Sequence, residues 1–473
     1  MRRFFKGLVA LTIVAAGFLG GFSPEVIRSV REDRSRTQAG VEMVAAKLGL
    51  LLRGLPARAQ GDAASLGPVD TYFSVLDTIR SDFYSPQRQA TPSARKLTYA
   101  AIRGMLRTLN DPYTSFWTPD EYRKQMEETR GDFVGIGAVL DMTKDKKVLI
   151  VEPIEHSPAI RKGILPGDII VKVDNKPIVG LELTDVVTRI RGEQGTPVTL
   201  SILRKGQAKL RDITIVRQPV QSPMVKYRMV DRAAGIGYIQ LSGFNERADE
   251  QFAEAITALK KQGMRALVFD LRNNPGGLLN VAQDIASRFI EKGPLVWIQE
   301  KNGTKISLNV KSDKHQSWVE VGEYPVAVLI NGYSASASEI VAGAIRDYGV
   351  GTLVGTTTYG KGLVQTIIPL ADDSAVKVTT QHYFTPKMGD INKKFDDSGK
   401  QISGGIKPDV VVEITDKDAK ALQEATLNAA PEEVYQIRND PRYDPQLRKA
   451  LEVIREKMTG RNNPAPPVQT TQQ

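Results

Sequence analysis

Residues 326–347 read Val326-Ala-Val-Leu-Ile-Asn-Gly-Tyr-Ser-Ala-Ser-Ala-Ser-Glu-Ile-Val-Ala-Gly-Ala-Ile-Arg-Asp347, and this stretch decides the class of fold. Val326–Ile330 is a short unbroken apolar run, the pattern of a buried strand, and Ala337–Asp347 follows it as a helix. The same alternation extends upstream: strand Gly237–Leu241, helix Glu250–Lys261, strand Ala266–Leu271, helix Leu278–Ile290. Strands alternating with helices predict an α/β layered domain with largely parallel pairing. Downstream, Gly362–Leu370 and Ala375–Phe384 read as strands with no helix between them, Ala419–Asn428 and Pro445–Met458 as polar helices, and the residues from Asn462 as a Pro- and Gln-rich disordered tail.

The N-terminal half is written differently. Residues 62–117 carry apolar side chains at helical spacing (Val69, Tyr72, Phe73, Leu76, Ile79; then Leu97, Ala101, Met105, Leu109) and stop at Asn110-Asp111-Pro112. From Phe133 to about Pro219 the text turns to short strands, Val148–Val151, Ile169–Val173, Val198–Leu203 and Asp212–Val216, with one helix near Thr184–Ile190. Many strands and one helix in so short a span predict a small barrel-like module.

Three segments hold residues that can do chemistry. In the quoted stretch, Ser334, Ser336 and Ser338 sit where a strand meets a helix. Ser336-x-x-Glu339 is a capping box, the commonest reason for a serine there; a serine hydroxyl beside the free amides of a first helical turn is also the arrangement of a nucleophile turn. Asp270-Leu-Arg-Asn-Asn-Pro-Gly-Gly277 likewise follows a strand and opens a helix, which leaves the Gly276 or Gly277 amide able to donate into a cleft, or makes a plain turn. A serine nucleophile needs a base. His315 and His382 read as surface or packing positions, and His156 as a surface residue. Lys361, in Thr358-Tyr-Gly-Lys-Gly-Leu-Val-Gln365, is flanked by glycines at a loop-to-strand junction, where partial desolvation lowers an amine's pKa. Gln365, four residues on, can share its face. Gly355–Lys361 also fits Gly-x4-Gly-Lys of a phosphate loop, but Gly362 stands where Ser or Thr should hold magnesium, and a strand follows where a helix should.

Two resemblances follow from these residues. Gly135-Ile136-Gly137, Ser157-Pro158-Ala159 with Gly163-Ile164, and Pro166-Gly167-Asp168-x-Ile170 resemble a bacterial PDZ domain. That implies a peptide C-terminus bound by strand addition, with the Gly135–Gly137 loop, Ile136 included, holding the carboxylate and Arg191 either a charge partner or a solvated surface residue. The three chemical segments, in their order after that module, resemble the carboxyl-terminal processing (tail-specific) serine peptidases over about residues 65–415. The resemblance implies a crotonase/ClpP-like α/β serine–lysine protease core. It implies Ser336 as nucleophile, Lys361 as general base, Gln365 as its orienting partner, and oxyanion donors from Ala337 and from Gly276 or Gly277. Asp347 falls where some members carry a supporting aspartate, and a helix-end aspartate is the plainer reading. The implied division is 1–23 signal peptide or membrane anchor, 24–61 linker with a second apolar segment, 62–117 helical region, 118–218 PDZ domain, 219–415 protease domain, and 416–473 C-terminal helical region and disordered tail.

Composition sets the outer limits. The 473 residues, 41% hydrophobic and 25% charged, exclude a mostly disordered chain, and the absence of cysteine excludes thiolate metal sites and cysteine nucleophiles. The net charge is +10, but ten basic and four acidic residues fall in positions 1–60, leaving +4 for the other 413 residues. The excess is therefore an address and not a nucleic-acid surface: Arg2, Arg3 and Lys6 precede the apolar Gly7–Phe22 run, the layout of a secretory signal or short anchor. A second apolar stretch, Val41–Leu55, precedes Ala57-Arg58-Ala59, which leaves two candidate cut points. The expectation is an exported endopeptidase of the periplasm or the outer face of the inner membrane, needing no metal or cofactor. Its expected substrates are proteins with apolar, unstructured C-termini, with an adaptor protein and a second copy of the chain as candidate partners. A non-catalytic PDZ scaffold of the cell envelope is the alternative.

Overall fold

The computed structural model describes residues 67–84, 92–143, 145–207, 209–312, 324–399, 401–427, 429, 437 and 440–462. The signal or anchor, the second apolar segment, His315 and the Pro- and Gln-rich tail beyond Asn462 lie outside the described residues. Among the described residues no helix is long and apolar enough to cross a membrane.

The chain divides into two compact units, Ile367–Lys377 grouping with the residues through Pro119 and the remainder forming the other. In the first, α1 (Gly67–Asp82) and α2 (Ala94–Arg107) are joined by a hydrogen bond from the Tyr72 hydroxyl to Thr98 Oγ1 (2.7 Å). Ser93 caps α2 by accepting from the Lys96 amide. The short β1 (Ser115–Trp117) pairs antiparallel with residues 375–377, and the Tyr99 ring packs on Phe116.

The second unit opens with α3 (Pro119–Arg130), then β2 (Asp132–Gly135), β3 (Ala138–Met142), β4 (Val148–Pro153), α4 (Pro158–Arg161), β5 (Ile169–Val173), β6 (Lys176–Pro177), α5 (Leu183–Ile190), β7 (Pro197–Leu203), β8 (Arg211–Val216) and β9 (Gln218–Gln221). Strands β3, β4, β5, β7 and β8 form one antiparallel sheet in that order, with β6 on β5, and β2 pairs with β9 at the module's base. Alternation along β7 and β8 turns Val198, Leu200, Ile202, Ile213 and Ile215 inward onto Val186 and Ile190 of α5, which gives the module its own core. The small strand-rich module expected over this span is present, but its main sheet is open, with β3 and β8 at the edges and no pairing between them.

The larger sheet runs β10 (Val225–Asp231), β11 (Ile236–Leu241), β12 (Ala266–Asp270), β15 (Val326–Ile330), β16 (Thr352–Gly355) and β21 (Val410–Val411). Only β10 is antiparallel to its neighbour. Helices α6 (Ala248–Lys261), α7 (Leu279–Ala286) and α8 (Ala337–Tyr348) pack on one face against Leu267, Phe269, Val328 and Ile330. The opposite face, Tyr238, Ala266, Val268, Ala327 and Leu329, is covered by Leu447, Ala450, Leu451 and Ile454 of α10 (Pro445–Asn462). Burial on both faces is why β12 and β15 read as unbroken apolar runs. The C-terminal helix read as polar is thus half of this core's covering. Around them lie β13 (Pro294–Gln299), β14 (Lys305–Asn309), β17 (Leu363–Pro369), β18 (Ala375–Phe384), β19 (Lys394–Phe395), β20 (Gln401–Ser403) and α9 (Asp416–Leu427). Helix α7 is shorter than its apolar periodicity predicts. Beyond it the Ser287 hydroxyl bonds back to the Gln283 carbonyl and accepts the Lys311 amide from beyond β14.

Candidate active site

Parallel strands place their carboxyl ends on one edge, where an α/β sheet gathers its functional loops. Here the turns after β12 and β15 are zipped together. Asn273 and Asn331 exchange two hydrogen bonds of 3.0 Å, and the Asn274 carbonyl accepts both the Ala335 amide (3.0 Å) and the Ser338 hydroxyl (2.9 Å). The Ser334 hydroxyl donates to the Leu271 carbonyl (2.8 Å) and accepts the Asn331 amide (3.0 Å).

This sorts the three serines. Ser334 and Ser338 are fully buried and spent on those staples, whereas Ser336 alone keeps access to solvent. Ser336 also has φ 57° and ψ −115°, a backbone conformation that L residues rarely adopt and that costs about 1–3 kcal/mol. The surrounding hydrogen bonds enforce it. The capping box is present too: the Ser336 amide donates to Glu339 Oε2 (2.8 Å). Capping and an exposed elbow are one structure here.

Glycines bring the second turn against the first. Gly276 has φ 99°, and a Cβ on it would lie 2.7 Å from the Ala335 oxygen, 2.8 Å from Ser336 Cβ and 2.9 Å from the Ala337 nitrogen. Its amide, however, donates to Asn274 Oδ1 (2.9 Å) and is not available to a ligand in this conformation. Of the two glycine amides the sequence offers, that leaves Gly277 as the candidate donor. Among the described residues, the Gly277 and Ala337 amides meet no acceptor. Gly277 stays in place because the Gly276 carbonyl accepts from Phe244 (3.0 Å) and the Leu278 amide donates to Phe244 (2.7 Å).

The third turn is tied to the first through Glu339. This carboxylate, fully buried in α8, accepts from the Ser336 amide, the Lys361 amide (2.8 Å), the Gly360 amide (2.6 Å) and the Thr358 hydroxyl (2.6 Å). Burial pushes its carboxyl above the ordinary carboxylate value, against those four hydrogen bonds, which pull it down. The Tyr359 amide adds a bond to the Ser334 carbonyl (3.0 Å), and the buried Tyr383 hydroxyl donates to the Lys361 carbonyl. Lys361 is partly buried. Sequence reading saw Glu339 only as a cap; its role in joining the serine and lysine turns depends on pairing between segments far apart in the chain.

The Gln365 carboxamide nitrogen donates to the Leu363 carbonyl (3.3 Å) and to Thr379 Oγ1 (3.2 Å), which holds it against β18. Asp347 bonds to the Arg346 guanidinium and the Lys387 amide, as a helix-end residue does. His382 is paired with Asp390 (2.9 Å), and His156 is exposed on the smaller module. After Gly355 and the loop to Lys361 comes strand β17, so the phosphate-loop pattern lacks its helix. Among the described residues no acidic or histidine cluster could hold a metal.

The smaller module has a cleft of about 180 Å³ lined by Phe133, Gly135, Ile136 and Gly137 on one side and Val187, Ile190 and Arg191 on the other. Gly137 has φ 76°, and its carbonyl is held by the Ile154 amide and the Ser157 hydroxyl (both 2.9 Å). The Ile136 and Gly137 amides meet no acceptor among the described residues. The Arg191 guanidinium lies 5.0 Å from the centre of the Phe133 ring.

Residues 235–412 match the model of peptidase family S41, and residues 149–204 that of a PDZ domain. A carboxy-terminal-processing protease of Bartonella bacilliformis is 40% identical over 327 residues, 68% of this chain and 71% of that protein. A probable CtpA-like serine protease of Staphylococcus haemolyticus is 38% identical over 335 residues, 71% of this chain; the chain spans 63% of that relative's length. Among solved structures, a photosystem II D1 C-terminal processing protease aligns over 76% of this chain and 92% of its own, at 30% identity and TM-score 0.42. The zipped serine and glycine turns fall inside the span matched at residues 235–412, and on the two family models and the 40% identity to the Bartonella protein the chain belongs to peptidase family S41 and carries a PDZ domain.

Proposed function

We propose that the protein is a serine endopeptidase that recognises protein C-termini through its PDZ domain and cuts near them. One observation carries the reading: Ser336 is the solvent-accessible serine at a positive-φ strand-to-helix turn, beside the uncommitted Gly277 and Ala337 amides, and Glu339 fastens that turn to the one bearing Lys361. In the reaction, a neutral Lys361 amine takes the Ser336 proton as Oγ attacks the scissile carbonyl. The Gly277 and Ala337 amides donate to the oxyanion, each such donor being worth about 3–4 kcal/mol in the transition state. Lys361 then returns the proton to the departing amine, and water releases the acyl group by the reverse sequence. Gln365 orients the lysine amine in this scheme through its carboxamide oxygen, while Leu363 and Thr379 hold the nitrogen. The Ile136 and Gly137 amides with Arg191 hold the substrate's terminal carboxylate.

Export belongs to the same proposal and is supported by Arg2, Arg3 and Lys6 ahead of the apolar run. N-terminal sequencing of the mature protein distinguishes a cleaved signal from a retained anchor, and light scattering reads self-association. The activity is tested by incubating wild type, Ser336→Ala and Lys361→Ala with an unfolded protein ending in apolar residues and reading fragments by mass spectrometry. Cleavage by wild type alone is expected. Equal cleavage by all three would remove the dyad, and cleavage by none would leave the non-catalytic scaffold.

A further inference from the structure

Arg217 is 7% exposed, yet among the described residues no carboxylate pairs with it. Its guanidinium is spent on neutral oxygens: Nε donates to the Ile190 carbonyl (2.8 Å), Nη1 to the Pro197 carbonyl (2.8 Å) and Thr196 Oγ1 (3.0 Å), and Nη2 to the Arg189 carbonyl (3.2 Å). A buried cation without a counter-ion is an expensive way to satisfy carbonyl groups that a neutral amide or water could serve.

The position of Arg217 supplies a use for the charge. Arg189 and Ile190 end α5, and their carbonyls form the negative end of that helix beside Ile190 and Arg191, which line the cleft. Left alone, those carbonyls would repel an anion arriving there. Arg217 also reaches the opposite wall, because its neighbour Gln218 begins β9 and pairs with Gly135. Gly192 permits the approach: a Cβ there would lie 2.8 Å from Arg217 Nε. One residue therefore ties both walls together, neutralises the helix end and fixes the backbone from which Arg191 projects.

We propose that Arg217 is the positioning and charge-setting residue that makes this cleft select a free terminal carboxylate. The inference rests on the reading of the cleft as a C-terminus site. The test uses the full chain carrying Ser336→Ala, so that no peptide is consumed, and a short fluorescent peptide ending in valines, with either a free or an amidated C-terminus. Anisotropy gives the ratio of the two affinities. Arg217→Gln should lower that ratio about tenfold and leave the amidated peptide's affinity within about twofold, the effect of removing one partly buried charge near an anion. Arg217→Lys, which keeps the charge, should retain most of the preference, and it carries the test if the glutamine variant does not fold. A merely structural role would weaken both peptides in parallel and leave the ratio unchanged, and that result overturns the proposal. Equal loss of the ratio in the lysine variant does so too. If the Ser336→Ala chain itself shows no preference, the C-terminus reading fails first.

Discussion

Glu339→Gln exchanges one carboxylate oxygen for an amide nitrogen and changes nothing else in shape. Each oxygen now serves two donors: Oε1 the Thr358 hydroxyl and the Gly360 amide, Oε2 the Ser336 and Lys361 amides. The Thr358 hydroxyl accepts the Ile406 amide at 2.6 Å through one lone pair and can accept an N–H through the other only if its own proton gives up the carboxylate, which leaves that buried proton without its acceptor. Whichever way the carboxamide is turned, two buried donors lose their acceptor: the Ser336 and Lys361 amides in one orientation, the Gly360 amide and the Thr358 hydroxyl proton in the other. At about 1–3 kcal/mol for each unsatisfied group, the variant should lose about 2–6 kcal/mol of stability. It should also lose activity in the fraction that stays folded, since the serine and lysine turns share this anchor and displacement by about 1 Å costs roughly a hundredfold in rate. Urea unfolding gives the first quantity, and cleavage of a fluorogenic peptide below the unfolding midpoint gives the second. A Glu339→Gln protein with wild-type midpoint and rate would refute the clamp.

Other substitutions probe the neighbouring parts. Gly276→Ala forces a methyl into the Ala335 oxygen and the Ser336 turn at a φ of 99°, and should abolish measurable cleavage; Gly104→Ala, in the open interior of α2, should raise stability by about 0.5–1 kcal/mol, as read by thermal unfolding. Ser334→Ala strands the Asn331 amide and should cost about 1–3 kcal/mol in urea titration, whereas Ser338→Ala leaves the Asn274 carbonyl still paired with the Ala335 amide and should cost about 1 kcal/mol, and both folded proteins should still cleave. Arg272 lies between the buried Asp270 (2.6 Å) and Asp444 (2.7 Å), so Arg272→Met leaves two buried carboxylates without their cation and should destabilise by about 3–5 kcal/mol. A neutral effect on the urea midpoint would show that α10 is not held to the sheet through this pair.

The parts legible in the sequence are those fixed by local pattern. Val326–Ile330 and Ala375–Phe384 match their expected bounds, because an apolar run buried between helices and a long stretch rich in β-branched and aromatic residues each carry a local signature. The hairpin of β13 and β14 went unread although Asn302-Gly303 marks its turn, Gly303 having φ 88°. α10 read as a polar helix because only one stripe, Leu447, Ala450, Leu451 and Ile454, is apolar, and its partner face on the sheet comes from strands more than a hundred residues earlier. The family resemblance picks out Ser336 and Lys361, while the residues alone leave three serines; the staples that bury Ser334 and Ser338 run to Leu271 and Asn274, and the bond that occupies the Gly276 amide comes from the Asn274 side chain, contacts between segments that no local pattern announces. Arg217 offered no signal in the sequence: its meaning lies in a guanidinium that, among the described residues, is bonded to neutral oxygens and to no carboxylate.

The central claim is that Ser336 is the nucleophile and Lys361 the base that activates it. Treatment of the protein with a fluorophosphonate, followed by tryptic digestion and fragment-ion sequencing, reads this directly, since the reagent marks an activated serine. The account predicts a single adduct on Ser336, with Ser334 and Ser338 unmodified, and its loss in Lys361→Ala. An adduct on Ser334 or Ser338, or undiminished labelling of Ser336 in the Lys361→Ala protein, would contradict it.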